Sequence, residues 1–136
     1  MPVTFEWANE EQTLMRYVAS GDDWNWKSFY HAVHKSLFKL VNVDHAVHTW
    51  ADFRPAERMP RGASAHLRSI GKQREHTNLS GKCILTGVPD DLRVQVTGHP
   101  DIYTVTTATQ AVHFAQDDEE AFDICRRWDD AAANPD

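Results

Sequence analysis

The sequence predicts one α/β domain: a mixed β-sheet of about five strands, with an N-terminal hairpin and about four helices packed mainly on one face. Short apolar runs alternate along the chain with segments of helical periodicity, which is the pattern of strand–helix–strand units. At 136 residues the chain can bury roughly two thirds of its unfolded surface, enough for one core without a metal or a disulfide. Hydrophobic residues form 41% and charged residues 25% of the chain, as is ordinary for a globular domain.

The first elements are a hairpin and a helix. Residues 3–7 and 13–20 have the composition of strands, and polar residues between them supply a turn. An aspartate of the pair Asp22-Asp23 is placed to cap the next helix. Trp24 and Trp26 cannot both face the sheet, so either Trp24 packs on the hairpin or one of the two is an exposed interface anchor. The apolar residues that recur at helical spacing are Trp26, Tyr30, Val33, Leu37 and Leu40.

Strands and helices then alternate. Residues 47–53 form an apolar run between helices, so we expect a central, parallel strand there. A second helix is predicted over 63–70, with Gly71 near its end. Residues 93–109 favour strand by propensity, but the alternation of elements favours a helix. We predict a broken helix in this segment, interrupted at Gly98-His99-Pro100.

The remaining elements continue the pattern. A short buried strand is predicted over 83–88, and Pro89-Asp90-Asp91 is a good helix start. The last strand is predicted over 111–115. Carboxylates at 117–120 then begin the final helix, where the helix macrodipole favours negative charge.

Charge is unevenly distributed along the chain. Residues 117–136 hold eight acids and two arginines and therefore carry the whole net charge of −6. Residues 54–82 hold seven bases and two acids, which gives a local charge of +5. Such a segment can bind a phosphate or an acidic partner, although a solvated helix face explains it as well. A net acidic chain argues against nucleic acid as the main ligand.

The sequence also bounds the location and extent of the domain. No apolar run approaches the roughly 18 residues of a membrane span. The N-terminus lacks a basic region followed by an apolar stretch. We therefore expect a cytoplasmic protein without a transmembrane segment. The single domain is placed over 1–128, and 129–136 is expected to be a flexible acidic tail.

This order of elements resembles the STAS-like superfamily, which is named for sulphate transporters and the sporulation anti-sigma-factor antagonist. The resemblance covers residues 3–128. The features that carry it are Gly21 with the helix entry at 24–29, Asp52 at the end of the central strand, Gly62 before the second helix, and residues 118–122 after the last strand. The resemblance implies a small regulatory domain that binds partner proteins, in some members a nucleotide or lipid, and that does no chemistry of its own.

The chain departs from the superfamily at the start of the second helix. The sigma-factor regulators carry a phosphorylatable serine there, in an Asp-Ser-Ser-Gly-type motif. Here the stretch is Pro60-Arg61-Gly62-Ala63-Ser64, so the acid and the motif serine are missing. Ser64 is interpreted as a capping residue that is open to modification. A second branch, linked to lipid or small-ligand binding, has an Asp-Phe pair at the end of the central strand, and Asp52-Phe53 matches that pair.

The expected function is that of a non-catalytic regulatory or signalling domain that binds a partner protein through the loop at 54–64 and the helix start behind it. A helix N-terminus surrounded by arginines favours an acidic group. The residues expected to bind the partner or an anion are Asp52, Arg54, Arg58, Arg61, Gly62 and Ser64. The alternative is a small-ligand or lipid-binding domain that uses the cleft between the first helix and the sheet. A homodimer is a further expectation.

Catalytic chemistry has little support in the sequence. There is no Gly-x-Ser-x-Gly elbow and no phosphate-binding glycine-rich loop. Cys83 or Ser64 could act as a nucleophile only if folding brings a base such as His66 or His113 to it. We therefore expect no catalytic residue and no cofactor. Cys83 and Cys125 lie in apolar surroundings, where a free cysteine behaves as a small hydrophobe.

The tetrapeptide His-Ala-Val-His, which occurs twice, raises the question of a metal. His31 and His34 could share one face of a helix. His45 and His48 enter a strand, where a spacing of three points them to opposite sides. No cysteine or carboxylate stands at a recognisable ligand spacing from either pair, so we expect no metal site.

Overall fold

Six strands form one mixed sheet in the computed structural model of this protein, which describes residues 2–70 and 78–133. The strands are β1 (Val3–Trp7), β2 (Leu14–Ala19), β3 (Val47–Asp52), β4 (Leu79–Thr86), β5 (Thr104–Thr106) and β6 (Ala111–Ala115). In the sheet they stand in the order β1-β2-β3-β4-β6-β5. The four inner strands are parallel, and the two edge strands pair antiparallel to their neighbours. The predicted central, parallel β3 is confirmed.

Four α-helices connect and cover these strands in the described part of the chain. They are α1 (Trp26–Ser36), α2 (Ala63–Ser69), α3 (Asp90–Thr97) and α4 (Asp118–Ala133). A 3₁₀ helix, Leu37–Asn42, continues α1. The predicted single α/β domain with four helices is thus confirmed, with six strands instead of about five. Gly71 lies outside the described residues.

The two faces of the sheet carry different layers. Three crossovers connect the parallel strands in turn, from β2 to β3, from β3 to β4 and from β4 to β6, and each adds its strand on the same side of the one before. Because such crossovers are right-handed, they place α1, α2 and α3 on one face of the sheet. The larger core lies on this face and contains residues such as Phe29, Leu67 and Val96. The smaller core joins α4 to the other face through Trp50 and Ile84.

Aromatic side chains fill the space between α1 and the sheet. Trp24 is fully buried and stacks on Phe53, with ring centroids 5.5 Å apart. Trp26 is also buried and packs edge-on against Trp24, so neither tryptophan is an exposed anchor. Phe29 completes the group against Phe53. The cleft expected here for a small ligand is therefore occupied by the protein's own core.

Local interactions explain where α1 begins. Asn25, not an aspartate of the pair at 22–23, caps the helix: its Oδ1 accepts from the backbone N–H of Ser28 at 2.7 Å. The Ser28 hydroxyl stands 2.9 Å from the Asn25 backbone N–H, which donates to it and completes a capping box. The prediction of an aspartate cap is wrong because the capping pair lies closer to the first helical turn.

Two further predictions are corrected. Residues 93–109 are not one broken helix: α3 ends at Thr97, and the β-branched segment Thr104–Thr106 pairs with β6. The flexible tail predicted from 129 is wrong for 129–133, which continue α4. Asp129 is hydrogen-bonded to the sheet side of the molecule, and three alanines with high helix propensity follow shortly after it.

Among the described residues, no helix combines the length and the apolarity needed to cross a membrane.

Candidate functional site

The loop expected to bind a partner begins at a buried carboxylate, Asp52, at the end of β3. Asp52 is 1% exposed because strand alternation turns it toward the α4 face. Arg16 donates to it from β2 at 2.5 Å, and Thr86 donates from β4 at 2.9 Å. Arg54 donates through Nε and a terminal nitrogen, both at 2.9 Å, and through its backbone N–H at 3.1 Å. These four side chains are called the Asp52 cluster: Arg16, Asp52, Arg54 and Thr86.

Electrostatics in the Asp52 cluster keep the carboxylate charged. Burial alone would raise the pKa of Asp52, but the hydrogen bonds from Arg54, Arg16 and Thr86 hold that pKa well below its usual range. The same pairing with Asp52 raises the pKa of Arg54. Both oxygens of Asp52 are occupied by donors from the protein. Asp52 therefore fixes the start of the loop and has no free oxygen to offer a ligand.

Arg54 also ties the loop to α4. Its guanidinium bridges Asp52 and Asp118, the first residue of α4. Arg16 lies with its guanidinium carbon 4.6 Å from the ring centroid of Trp50, within cation–π range. Most of the charge of Arg54 is thus satisfied inside the molecule.

The rest of the loop at 54–64 is fastened to the turn before α1. The backbone N–H of Gly21 donates to Pro55 at 3.1 Å, and that of Glu57 donates to Gly21 at 2.8 Å. The indole N–H of Trp24 donates to the carbonyl of Arg58 at 3.1 Å. The guanidinium of Arg58 donates back to the carbonyls at positions 22 and 24, at 2.6 and 3.3 Å. The loop is therefore held in one conformation by groups beneath it.

The outer surface of the loop exposes basic and aromatic groups. Arg61 and Gly62 are exposed, and Ser64 is half-buried in the first turn of α2. Gly62 has φ of +84°, a left-handed conformation that favours glycine. Beside it, His66 stacks on Trp26 with centroids 4.7 Å apart. The hydroxyl of Tyr30, a residue that is 38% exposed, lies 3.0 Å from His66 Nδ1.

The six residues predicted to bind together do not form one site. Asp52 and Arg54 belong to the interior Asp52 cluster, and Arg58 turns back toward the start of α1. Arg61, Gly62 and Ser64 remain at the surface. Sequence reasoning missed Arg16 and Thr86 as partners of Asp52. It also missed His66 as the neighbour of Gly62, and Tyr30 as the partner of His66. The signal for Arg16 lies in strand register, which places it beside Trp50 of β3.

A cavity of about 320 Å³ opens at the carboxyl ends of β4 and β6. Its lining includes Gly87, Val88 and Gln116 together with Arg93 and Tyr103. Arg93 is 6% exposed, and its guanidinium carbon lies 4.0 Å from the ring centroid of Tyr103. The Nε–H of Arg93 is buried without a hydrogen-bond partner in the described part of the chain. Asp90 also lines this cavity, 3.7 Å from Arg93. An aromatic ring and apolar side chains beside a charged pair suit a small planar molecule.

A second polar cluster lies at the opposite end of β3, on the same face as Asp52. His48 is 2% exposed; its Nε2 lies 3.0 Å from Asp129 Oδ1, and its Nδ1 lies 2.7 Å from Ser80 Oγ. Thr13 donates to Asp129 Oδ2 at 2.7 Å, and Cys125 Sγ lies 3.6 Å from the same oxygen. These five residues are called the His48 cluster: Thr13, His48, Ser80, Cys125 and Asp129.

Ionisation in the His48 cluster does not favour a nucleophile. Burial lowers the pKa of His48, although the hydrogen bond with Asp129 acts in the opposite direction. Burial raises the pKa of the Cys125 thiol to about 11, so the thiolate is scarce at neutral pH. Burial also raises the pKa of Cys83 to about 11. Neither cysteine has the lowered pKa of a catalytic thiol.

Comparison with models of protein families, with curated proteins and with solved structures found no match to this chain. The resemblance to the STAS-like superfamily therefore stays a prediction.

Proposed function

We propose that this chain is a non-catalytic regulatory domain, of the STAS-like type, that binds an acidic partner protein through the loop at 54–64 and the start of α2. One observation carries the proposal. The loop is fastened from beneath by Trp24, Gly21 and Asp52, while its outer side chains stay exposed. A binding surface that is already ordered loses little conformational entropy on association.

The charge of the loop supports an acidic partner. Arg54 is neutralised by Asp52 and Asp118, as described above. Within residues 2–70 and 78–133, Arg58 donates to two backbone carbonyls and pairs with no carboxylate. Arg61 is exposed on the same loop. Arg58 and Arg61, next to the exposed backbone of Gly62, favour carboxylate or phosphate groups on a partner.

Aromatic groups extend this surface. His66 lies beside Gly62, the hydroxyl of Tyr30 reaches His66 from α1, and Trp26 supports His66 from below by stacking. Tyrosine and arginine are the residue types most often responsible for binding energy at protein interfaces. The surface thus combines an aromatic anchor with a basic rim, and its backbone is fixed.

The test is native mass spectrometry of tagged protein recovered from a lysate of its host. The variant Arg61→Glu reverses the charge at the proposed surface. The matched control Arg127→Glu makes the same change at an exposed arginine of α4, on the opposite face of the sheet. We expect a stoichiometric partner protein to be retained by Arg127→Glu and lost from Arg61→Glu. Equal retention by both variants would contradict the proposal.

A second candidate function, small-ligand binding, is favoured by the cavity at the carboxyl ends of β4 and β6. The ring of Tyr103 and the apolar side chains of Val88 and Phe114 would hold a small planar molecule there. This location replaces the cleft beside α1, which the core fills. In the same mass spectra, a small bound mass that survives Arg61→Glu and disappears in Tyr103→Ala would favour this function over partner binding.

A further inference from the structure

We propose that His48, Cys125 and Asp129 form a zinc-binding site between β3 and α4. This site lies at the end of β3 opposite to the loop at 54–64 and does not depend on the function proposed for that loop. One donor atom from each of the three residues lies within 4.8 Å of the donor atoms of the other two. Nitrogen, sulfur and carboxylate oxygen are the ligand atoms that Zn²⁺ takes in proteins.

The distances fit a tetrahedral ion. Zinc–ligand bonds of about 2.0–2.3 Å place neighbouring ligand atoms about 3.3–3.8 Å apart. His48 Nε2 lies 3.0 Å from one oxygen of Asp129, and Cys125 Sγ lies 3.6 Å from the other. Both separations are close to the tetrahedral values. All three donor atoms lie within 4.8 Å of one another, so side-chain adjustments of about 1 Å would gather them around one ion.

The folded chain prepares these donors. Cys125 and Asp129 are four residues apart on α4, so they share one face of the helix. His48 lies on β3, on the face that α4 covers, with its ring centroid 5.1 Å from that of Trp128. Because β3 and α4 are both regular elements packed on a core, the donors are held on rigid supports, as a metal site requires.

Groups around the ligands complete the site. Ser80 Oγ lies 2.7 Å from His48 Nδ1, where it can accept the second ring proton and direct Nε2 toward the ion. The backbone N–H of Lys82 holds Ser80 in place at 3.1 Å. Thr13 donates to Asp129 Oδ2 and orients the carboxylate. These are the outer contacts that metal-binding histidine and carboxylate side chains normally have.

The charge of the ligand set also matches a divalent cation. On binding, the ion displaces the proton of the Cys125 thiol into solvent. The resulting thiolate and the Asp129 carboxylate together carry two negative charges, and a neutral imidazole adds none. Zn²⁺ would therefore leave the mostly buried site without net charge. With three protein ligands, one tetrahedral position stays open to water. Zinc sites of this kind, with an open position, are the ones that enzymes use.

The experiment uses the full chain, dialysed against a chelator and titrated with Zn²⁺ by calorimetry and with Co²⁺ by absorption spectroscopy. We expect one equivalent of each metal to bind, and Co²⁺ to give a thiolate charge-transfer band together with the d–d bands of tetrahedral coordination. Cys125→Ser should abolish the charge-transfer band and weaken Zn²⁺ binding about 100-fold or more. The matched control Cys83→Ser, which removes a buried thiol from the other face, should leave both unchanged.

Two more variants keep the proposal testable if Cys125→Ser does not fold, which circular dichroism of the metal-free protein will show. Asp129→Asn alters a side chain that is 33% exposed and should also lose tight binding. The double variant His31→Gln/His34→Gln should bind normally. The proposal is overturned if the natural chain binds no zinc, if Cys125→Ser and Asp129→Asn bind as well as the natural chain, or if the His31/His34 variant alone loses the metal.

Discussion

The Asp52 cluster and the His48 cluster stand at opposite ends of one strand and on one face of the sheet, yet they are built differently. Trp50 lies between them and is fully buried. In the Asp52 cluster, two arginines and a hydroxyl surround one carboxylate, and Asp118 beside Arg54 supplies the second negative charge. The His48 cluster holds a carboxylate, a thiol and an imidazole and includes no arginine or lysine. The charges at the Asp52 end of β3 are therefore paired within the protein, whereas the His48 end suits a cation.

The largest difference between the two ends is expected when each carboxylate is removed in turn. We expect Asp52→Ala to lower the free energy of unfolding by about 3 kcal/mol. It removes the buried counter-charge that Arg16 and Arg54 share, although these two side chains are themselves 24% and 34% exposed. Asp129→Ala, measured without metal, should cost about 1 kcal/mol, since it removes hydrogen bonds from a partly exposed group. Urea unfolding followed by tryptophan fluorescence measures both. Equal losses would show that the two ends are not distinct.

The response to acid separates the ends further. The pKa of Asp52 is lowered in the folded protein, so its contribution to stability is fully present above the unfolded-state pKa of about 3.9 and is lost as the pH falls toward the folded-state value. We expect the difference in unfolding free energy between the natural chain and Asp52→Asn to be constant from pH 7 to 5 and to shrink below about pH 4. Urea titrations at each pH give that difference. A constant difference down to pH 3 would argue against an ionised Asp52.

Replacing one threonine at each end should produce a smaller difference in stability between the two ends. Thr86 is fully buried; it donates to Asp52 and accepts from the indole N–H of Trp50, each at 2.9 Å. Thr86→Val should therefore cost about 2 kcal/mol, because it leaves that indole N–H buried without a partner. Thr13→Val at the other end should cost about 1 kcal/mol, since Asp129 keeps access to water. Thermal unfolding compares the two, and a reversed order would contradict this account.

The smallest expected effect concerns the link from Arg54 to α4. Asp118 is half-exposed, and exposed ion pairs contribute little to stability. We expect Asp118→Asn to lower the unfolding free energy by about 0.5 kcal/mol at low salt and by less at 0.5 M salt. A loss of unfolding free energy as large as that of Asp52→Ala would contradict this ranking of the two ion pairs.

Most of the element order could be predicted from the sequence, because hydrophobic periodicity reports which face of each element is buried. The segment at 93–109 could not, since pairing of Thr104–Thr106 depends on an edge of β6 that exists only in the folded sheet. The sequence predicts the end of α4 too early for a similar reason. Its last turns are stabilised by contacts from Asp129 to residues at positions 13 and 48, which no local pattern shows.

The candidate sites were less accessible to sequence reasoning. Asp52 at the end of an apolar strand was enough to expect an anchor for the following loop. Its partner Arg16 depends on the register between β2 and β3, which the sequence leaves open. The His48 cluster draws on β3, β4, α4 and the turn before β2. Spacing within one repeated tetrapeptide cannot show that Cys125, 77 positions after His48, brings a thiol to it.

The order of strands in the sheet has a consequence for folding. Strands β2, β3, β4 and β6 lie side by side in the order in which they occur in the chain. Each new parallel strand therefore pairs with the parallel strand before it, so each step has to close only the one helix-bearing crossover that separates the two. We expect the sheet to grow in one direction from the N-terminal hairpin, at the pace at which a ribosome delivers the chain. Helix α4 then covers the second face last.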